Sequence, residues 1–190
     1  MARVIGVVLA AGAGARMGRP KAEVRVDGVR LVDRARSALS DGGCAEVVVV
    51  ARRGMTVCDA RVVVNDHPDR GMRSSLELGV EAAAALAADA VVVVLVDTPG
   101  IAPAGVRAVL AAWRPGRIAV AAYDGRRGHP TVMAPASWRR AIALAGPDEG
   151  ARALLRAEVA AVDEIAVDGD PTDLDTAEDL ARWNARPARP

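Results

Sequence analysis

The sequence contains no phenylalanine, and aromatic residues make up only 2% of its 190 positions. Its core must therefore be built from Val, Leu and Ala rather than around large rings. Cysteine is almost absent. Cys44 and Cys58 form neither a CxxC pair nor a disulfide framework, which excludes a disulfide-stapled module and suits a reducing cytoplasm. Each is expected to be buried as a small apolar side chain. No apolar run approaches the roughly 18 residues of a membrane span, so no membrane partner is expected. A formal net charge of +1 without a basic block excludes a dedicated nucleic-acid surface and leaves anion binding to local charge. Lysine is the scarcest charged residue. Lys and Arg total 25, and Lys21 is the single lysine, leaving 24 arginines.

Hydrophobic residues reach 52%, enough for one domain with one sizeable core over residues 1–186, followed by a frayed tail at 187–190. Val4 to Leu9 reads as a buried first strand rather than the core of a secretory leader, because it runs straight into Gly, Arg and Lys without a cleavage-site break. A short hairpin turns at Asp27-Gly28. Leu31, Val32, Ala35 and Leu39 share one helical face, ending at Gly42-Gly43. Glu46 to Ala51 and Arg61 to Val64 read as strands, and Ser74 to Glu77 has the capping-box pattern of a helix start. Val91 to Val96 is a strand, Pro103 to Trp113 a helix and Ile118 to Ala122 a strand. Gly125 to Pro130 reads as a loop before Thr131 to Met133. Helices at about Ala136–Leu144 and Glu149–Ala157, a strand at Val162–Val167 and a helix at Asp175–Arg182 complete the chain. Strands alternating with helices predict an α/β domain with a mainly parallel sheet. Functional residues then belong at the carboxyl ends of strands, where the glycine loop, Asn65-Asp66 and Asp97 all fall.

The glycine loop is Leu9-Ala10-Ala11-Gly12-Ala13-Gly14-Ala15-Arg16-Met17-Gly18-Arg19-Pro20-Lys21. Its glycines permit close backbone approach, so that main-chain N–H groups can face an anion. A dinucleotide fingerprint starting at Gly12 would need glycine where Met17 stands, and a Walker A loop would end in Gly-Lys-Ser/Thr. Pro20 disfavours helix at Arg19. The glycines then serve either a structural turn alone or a triphosphate held by a loop and its cations, not by a helix dipole.

This stretch resembles the signature of the MobA-like NTP transferases, and within them the MocA-type molybdenum cofactor cytidylyltransferases, which carry Leu-Ala-Ala-Gly where guanylyltransferases usually carry Leu-Ala-Gly-Gly. Supporting matches follow in family order: Arg70 to Leu76, Asp97-Thr98-Pro99, Gly128-His129-Pro130 and Asp173 to Leu180. The chain departs from the family in Ala22-Glu23-Val24, where leucines are usual, and in Thr98, where methionine is common. The resemblance implies a Rossmann-like three-layer sandwich of the nucleotide-diphospho-sugar transferase type. It also implies Mg²⁺-dependent nucleotidyl transfer from CTP, or GTP, to a phosphate-bearing acceptor such as molybdopterin, with a molybdoenzyme or its chaperone as recipient.

On that resemblance, Leu9, Ala10, Ala11, Gly12 and Gly14 hold the nucleotide, with Asn65, Asp66, Ser74 and Ser75. Arg16 and Lys21 neutralise developing charge, Asp97 and Asp175 hold the metal with Asp173 in reserve, and His129 meets the substrate. Plainer roles stand beside these: a solvated cation for Arg16, an Asx-turn for Asp97, a helix cap for Asp175 and for Ser74 and Ser75, and a loop position for His129. Met55, Met72 and Met133 read as packing. An NAD(P)H-dependent oxidoreductase, like a nicotine-pigment reductase resembling the same family, is the alternative enzyme class; a cofactor-carrying chaperone is the non-catalytic one.

Overall fold

In the computed structural model, which describes residues 2–186, the valine runs lie side by side as the middle layer of three. The strands are β1 (Val4–Leu9), β2 (Arg25–Val26), β3 (Val29–Arg30), β4 (Glu46–Ala51), β5 (Arg61–Val64), β6 (Ala90–Leu95), β7 (Ile118–Tyr123), β8 (Arg126–Met133) and β9 (Val162–Ala166). The helices are α1 (Leu31–Asp41), α2 (Met72–Ala85), α3 (Pro103–Ala112), α4 (Pro135–Leu144), α5 (Arg152–Ala157) and α6 (Ala177–Asn184). Seven strands form one sheet in the order β5-β4-β1-β6-β8-β7-β9, while β2 and β3 pair separately. Only β8 runs against its neighbours; the β5–β4, β4–β1, β1–β6 and β7–β9 pairs are parallel. From β1 the chain winds outward through β4 to β5, then crosses back to β6 on the other side. The β1–β6 pair is thus a topological switch point, with a crevice beyond its carboxyl ends.

Strand alternation assigns the two faces. Val8, Val49, Val92 and Val94 join the core that includes Leu31, Val32, Leu39, Val106 and Val109 of α1 and α3. Ile5, Val7, Val48, Val91 and Val93 join Leu76 and Val80 of α2 and Trp138 and Ile142 of α4. Fully burying one such valine stabilises by roughly 1.5–3 kcal/mol, and β-branched residues suit a sheet covered on both faces. Close approach replaces the missing rings: a Cβ at Gly79 of α2 would lie 2.5 Å from Val7 Cγ1.

Several expectations need correction. Helix α2 begins at Met72 after Gly71, so Ser74 lies inside it and does not cap it. The Ser74 hydroxyl instead donates to the Gly71 carbonyl at 2.8 Å. The segment read as a loop from Gly125 to Pro130 belongs largely to β8. Asp124 and Gly125, at φ 49° and 77°, form the two-residue turn of a β7–β8 hairpin, as an Asp-Gly pair does in a type I′ turn. The pairing shifts between Val120↔Thr131 and Ala122↔Arg127, so β8 bulges at Gly128-His129-Pro130. A bulge accommodates a proline that cannot donate to the ladder; the His129–Pro130 peptide is cis. Helix α6 starts at Ala177 with Thr176, not Asp175, as its cap. Cys44 is buried, with its thiol pushed up to about 12, but Cys58 is exposed. The expected tail at 187–190 lies outside the described residues.

Candidate active site

The glycine loop leaves β1 at its carboxyl end and turns through two short 3-10 turns, Ala15–Met17 and Lys21–Glu23, without entering an α-helix. Gly14 is required by the chain itself: its φ is +62°, and a Cβ would fall 2.0 Å from the Arg19 carbonyl oxygen. Gly12 is not, since a Cβ there would meet nothing within 4 Å; the space above it is open to a ligand. Among the described residues, the N–H groups of Ala11, Gly12, Ala13 and Gly14 donate no hydrogen bond within the chain. Backbone donors left without partners in a loop can face an anion.

Lys21 reaches from this loop to two carboxylates. Its Nζ donates to Asp97 Oδ2 at 2.6 Å and also to Asp175 Oδ1. Burial alone would lower the ammonium's pKa, but the hydrogen bonds and charges of Asp175 and Asp97 hold it above the ordinary 10.5. Arg16 is exposed, and its Nη1 lies 3.7 Å from Asp175 Oδ2. Asp97 follows β6 and forms no Asx-turn. Its Oδ1 is buried without a hydrogen-bond partner, an unusual cost for a carboxylate unless a ligand meets it.

The Asp-Leu-Asp segment is placed by its middle residue. Leu174 is fully buried in the core, and its N–H donates to the Asp97 carbonyl at 2.8 Å. Alternation then brings Asp173 and Asp175 to the site from nearly eighty residues away. Partial burial, then the charges of Asp97 and Asp175, push the Asp173 carboxyl up to about 6. The Asp179 carboxylate accepts from the N–H groups of Asp175 and Thr176 and from the Thr176 hydroxyl, tying the start of α6 to Asp175.

Beside the cluster lies a cavity of about 320 Å³ whose walls include Leu76, Val93, Val120 and Trp138, with His129, Thr98 and Asp173 among its polar groups. The β8 bulge parts β8 from β6 beyond Val93, and His129 Nδ1 sits 3.2 Å from the Val93 carbonyl oxygen. Only a protonated nitrogen can face that oxygen, so Nδ1 carries hydrogen and Nε2 is left as an acceptor. Burial lowers the His129 pKa below 6.5, keeping the ring neutral at pH 7.

Other expected site residues lie in a separate knot. Asn65 is buried and its Nδ2 donates to the hydroxyls of Ser74 and Ser75 at 2.9 and 3.0 Å, while its Oδ1 accepts from the His67 N–H at 2.9 Å. These groups brace the turn into α2. Asp66 pairs with Arg53 at 2.7 Å on the surface. Met133 is fully buried, and Met55 and Met72 pack against the cores. Trp138 and Arg152, which line the cavity, had no recognisable sequence pattern. Among the described residues, no group of three or more His, Cys, Asp or Glu is poised around a metal position, and no helix is long and apolar enough to cross a membrane.

A glycine loop and nearby aspartates at the switch point of such a sheet are the arrangement of a nucleotidyltransferase of the nucleotide-diphospho-sugar transferase fold class. Residues 6–163 match the model of the MobA-like NTP transferase domain, and the chain belongs to that family. It is 41% identical over 197 residues to nicotine blue oxidoreductase of Paenarthrobacter nicotinovorans, covering 94% of this chain and 95% of that one. It is 33% identical to a molybdenum cofactor guanylyltransferase of Rhodobacter capsulatus, covering 96% and 99%. Among solved structures, Rv0371c from Mycobacterium tuberculosis H37Rv superposes with a TM-score of 0.81 at 27% identity, covering 97% and 99%. Its complex with manganese gives 0.75 at 26%, covering 95% and 97%.

Proposed function

We propose that this protein transfers a cytidylyl group from CTP to the phosphate of molybdopterin, releasing pyrophosphate, and that it uses Mg²⁺. The observation that carries the reading is Lys21 held between Asp97 and Asp175, on the same loop as four backbone N–H groups that have no partner among the described residues. An acceptor phosphate oxygen forms a bond to the α-phosphorus as the bond to the pyrophosphate oxygen breaks, a reaction that needs positioning and charge neutralisation more than a protein nucleophile. The loop N–H groups orient the triphosphate, while Arg16 and Lys21 take up charge on the α-phosphoryl oxygens and the leaving group. Mg²⁺ usually binds one or two carboxylates and completes its shell with water and phosphate. Asp97, with its unpartnered buried oxygen, and Asp175 fit that requirement, and the manganese complex of Rv0371c supports it. The bound ion would neutralise the phosphates. The choice of CTP is supported by Ala11, where guanylyltransferases usually carry glycine. The recipient would be a cytoplasmic molybdoenzyme or its chaperone.

The test is pyrophosphate release from the pure protein with molybdopterin and each nucleoside triphosphate in turn. CTP is expected to give the highest kcat/KM; higher turnover with GTP, or with another phosphate acceptor, would assign the same chemistry to different substrates. Asp97→Asn should weaken Mn²⁺ binding in the presence of CTP by at least about tenfold, read by electron paramagnetic resonance. Unchanged Mn²⁺ affinity would place the metal elsewhere.

The 41% identity to nicotine blue oxidoreductase favours a second reading, hydride transfer from NAD(P)H to a quinone-like acceptor. Met17 breaks the dinucleotide fingerprint, which places this reading second. Acceptor-dependent loss of NADPH absorbance, without pyrophosphate release in the parallel assay, would reverse the order.

A further inference from the structure

Three arginines line the cavity: Arg127, Arg152 and Arg156. Two of them are committed. Arg127 Nε donates to Glu164 Oε1 at 2.7 Å, and Arg156 is ion-paired with Glu149. The Arg152 guanidinium makes no hydrogen bond or ion pair among the described residues. Its charge is nevertheless felt on three sides, since it helps lower the pKa of Glu149, His129 and Asp173. Arg152 lines the same cavity as His129 and Asp173, and among the described residues its guanidinium is unpaired.

That position matters for an anionic acceptor. A phosphate approaching the reacting end passes Asp173 on its way to Asp97 and Asp175, and three carboxylates repel it. The cations of the glycine loop, Arg16 and Lys21, are turned to Asp175 and, for Lys21, to Asp97, and neither lines the cavity. Among the described residues, the cavity-lining guanidinium without a partner is that of Arg152, and a planar guanidinium pairs with phosphate through two parallel charge-assisted hydrogen bonds. The apolar wall of Leu76, Val93, Val120 and Trp138 suits a flat heteroaromatic body, and the volume lies in the range of small-molecule pockets.

We propose that Arg152 anchors the phosphate of the acceptor, which makes it the residue that selects a phosphorylated heterocycle over its unphosphorylated counterpart. This assignment rests on the nucleotidyl-transfer reading above. Arg152 is exposed, so its replacement should leave the fold intact.

The experiment is a fluorescence titration of the full chain with a pterin monophosphate and with the same pterin lacking its phosphate. A charge-assisted contact worth about 1.5–3 kcal/mol corresponds to a preference of roughly 10- to 100-fold for the phosphorylated form in the unmodified protein. Arg152→Ala should abolish that preference while leaving the affinity for the unphosphorylated pterin unchanged, and Arg152→Lys should restore part of it. Arg127→Ala should retain it. A preference that survives Arg152→Ala, or equal binding of both pterins by the unmodified protein, overturns the proposal. Binding of neither pterin defeats the acceptor class named under Proposed function, and the anchor falls with it; that outcome is distinct from a preference located on another residue.

Discussion

At the end of the site proposed to hold phosphate, the parts are backbone N–H groups and charged side chains carried by loops that follow strands or precede a helix: Ala11 to Gly14, Lys21, Asp97 and Asp175. The cavity end is walled by Leu76, Val93, Val120 and Trp138, drawn from α2, β6, β7 and α4, and the same residues belong to the core under the sheet. One end is thus an electrostatic device set on the scaffold, while the other is the scaffold itself, left slightly open by a bulge in β8. Substitutions should separate them: loss of rate with little loss of stability at the phosphate end, and loss of stability together with acceptor binding at the cavity end.

The largest effect is expected at Trp138. It is almost fully buried, and its Nε1 donates to the Val91 carbonyl at 2.9 Å. Trp138→Ala should cost about 3–5 kcal/mol in denaturant unfolding and remove its hydrogen bond to the Val91 carbonyl. Trp138→Phe keeps most of the volume and should recover most of that loss. Full stability in Trp138→Ala would mean that the cavity wall is not part of the core.

Lys21→Ala is the counterpart at the phosphate end. Removing one preorganised charge from a transition state costs about 10²–10³-fold in kcat, read as pyrophosphate release. Stability should fall by less than the roughly 3–5 kcal/mol of a broken buried ion pair, because Asp175 is 45% exposed and solvent reaches it. Lys21→Arg keeps the charge but not the compact head that fits between two carboxylates, so it should remain impaired. Unchanged turnover in Lys21→Ala would remove the residue from the reaction.

The same contrast decides what could be read from the chain before its fold was seen. Buried strands announce themselves as runs of valine, and the end proposed to hold phosphate as glycines, a lone lysine and an aspartate just after a strand. The Asp173–Asp175 segment could be named, but what places it is Leu174, an ordinary buried leucine. At the cavity end only His129 could be named; the rest was illegible because Trp138 and Val120 look like any core residue, and because Gly128 and Pro130 resemble a loop where the chain makes a bulged strand. Asp124-Gly125, with its two-residue hairpin chemistry, was the available clue to β8. The Ser74-to-Glu77 pattern misled for a different reason: Asn65, nine residues earlier, occupies the serine hydroxyls in bracing α2.

His129 offers a pH-dependent test of the cavity end. Its folded pKa lies below the ordinary 6.5 because burial disfavours the imidazolium. The unfolded chain therefore takes up the proton first as pH falls. The neutral ring's contribution is fully present above about pH 6.5 and is lost as pH falls from there through the depressed folded value. The stability of the unmodified protein should drop between pH 7 and pH 5 more steeply than that of His129→Gln, when both are followed by urea unfolding. Parallel profiles would mean that His129 titrates alike in the folded and unfolded chains.

The smallest effect is expected at the cap of α6, which belongs to the phosphate end although it carries no reacting group. Thr176 and Asp179 form a reciprocal capping box, and the Asp179 carboxylate also accepts from the Asp175 N–H at 3.1 Å. Thr176→Ala should cost about 1 kcal/mol, as N-cap truncations do, and Thr176→Ser should restore most of it. Hydrogen bonds from Thr176 hold the Asp179 carboxyl down at about 2, so its contribution is present above the ordinary 3.8 and disappears as pH falls through about 2. If the cap only closes a helix end, kcat at neutral pH will be unaffected by Thr176→Ala. If it also fixes the aim of Asp175, Mn²⁺ affinity in the presence of CTP will fall along with stability, and both will return in Thr176→Ser. The shared carboxylate predicts the second result, because one group holds the helix cap and the backbone of Asp175 together.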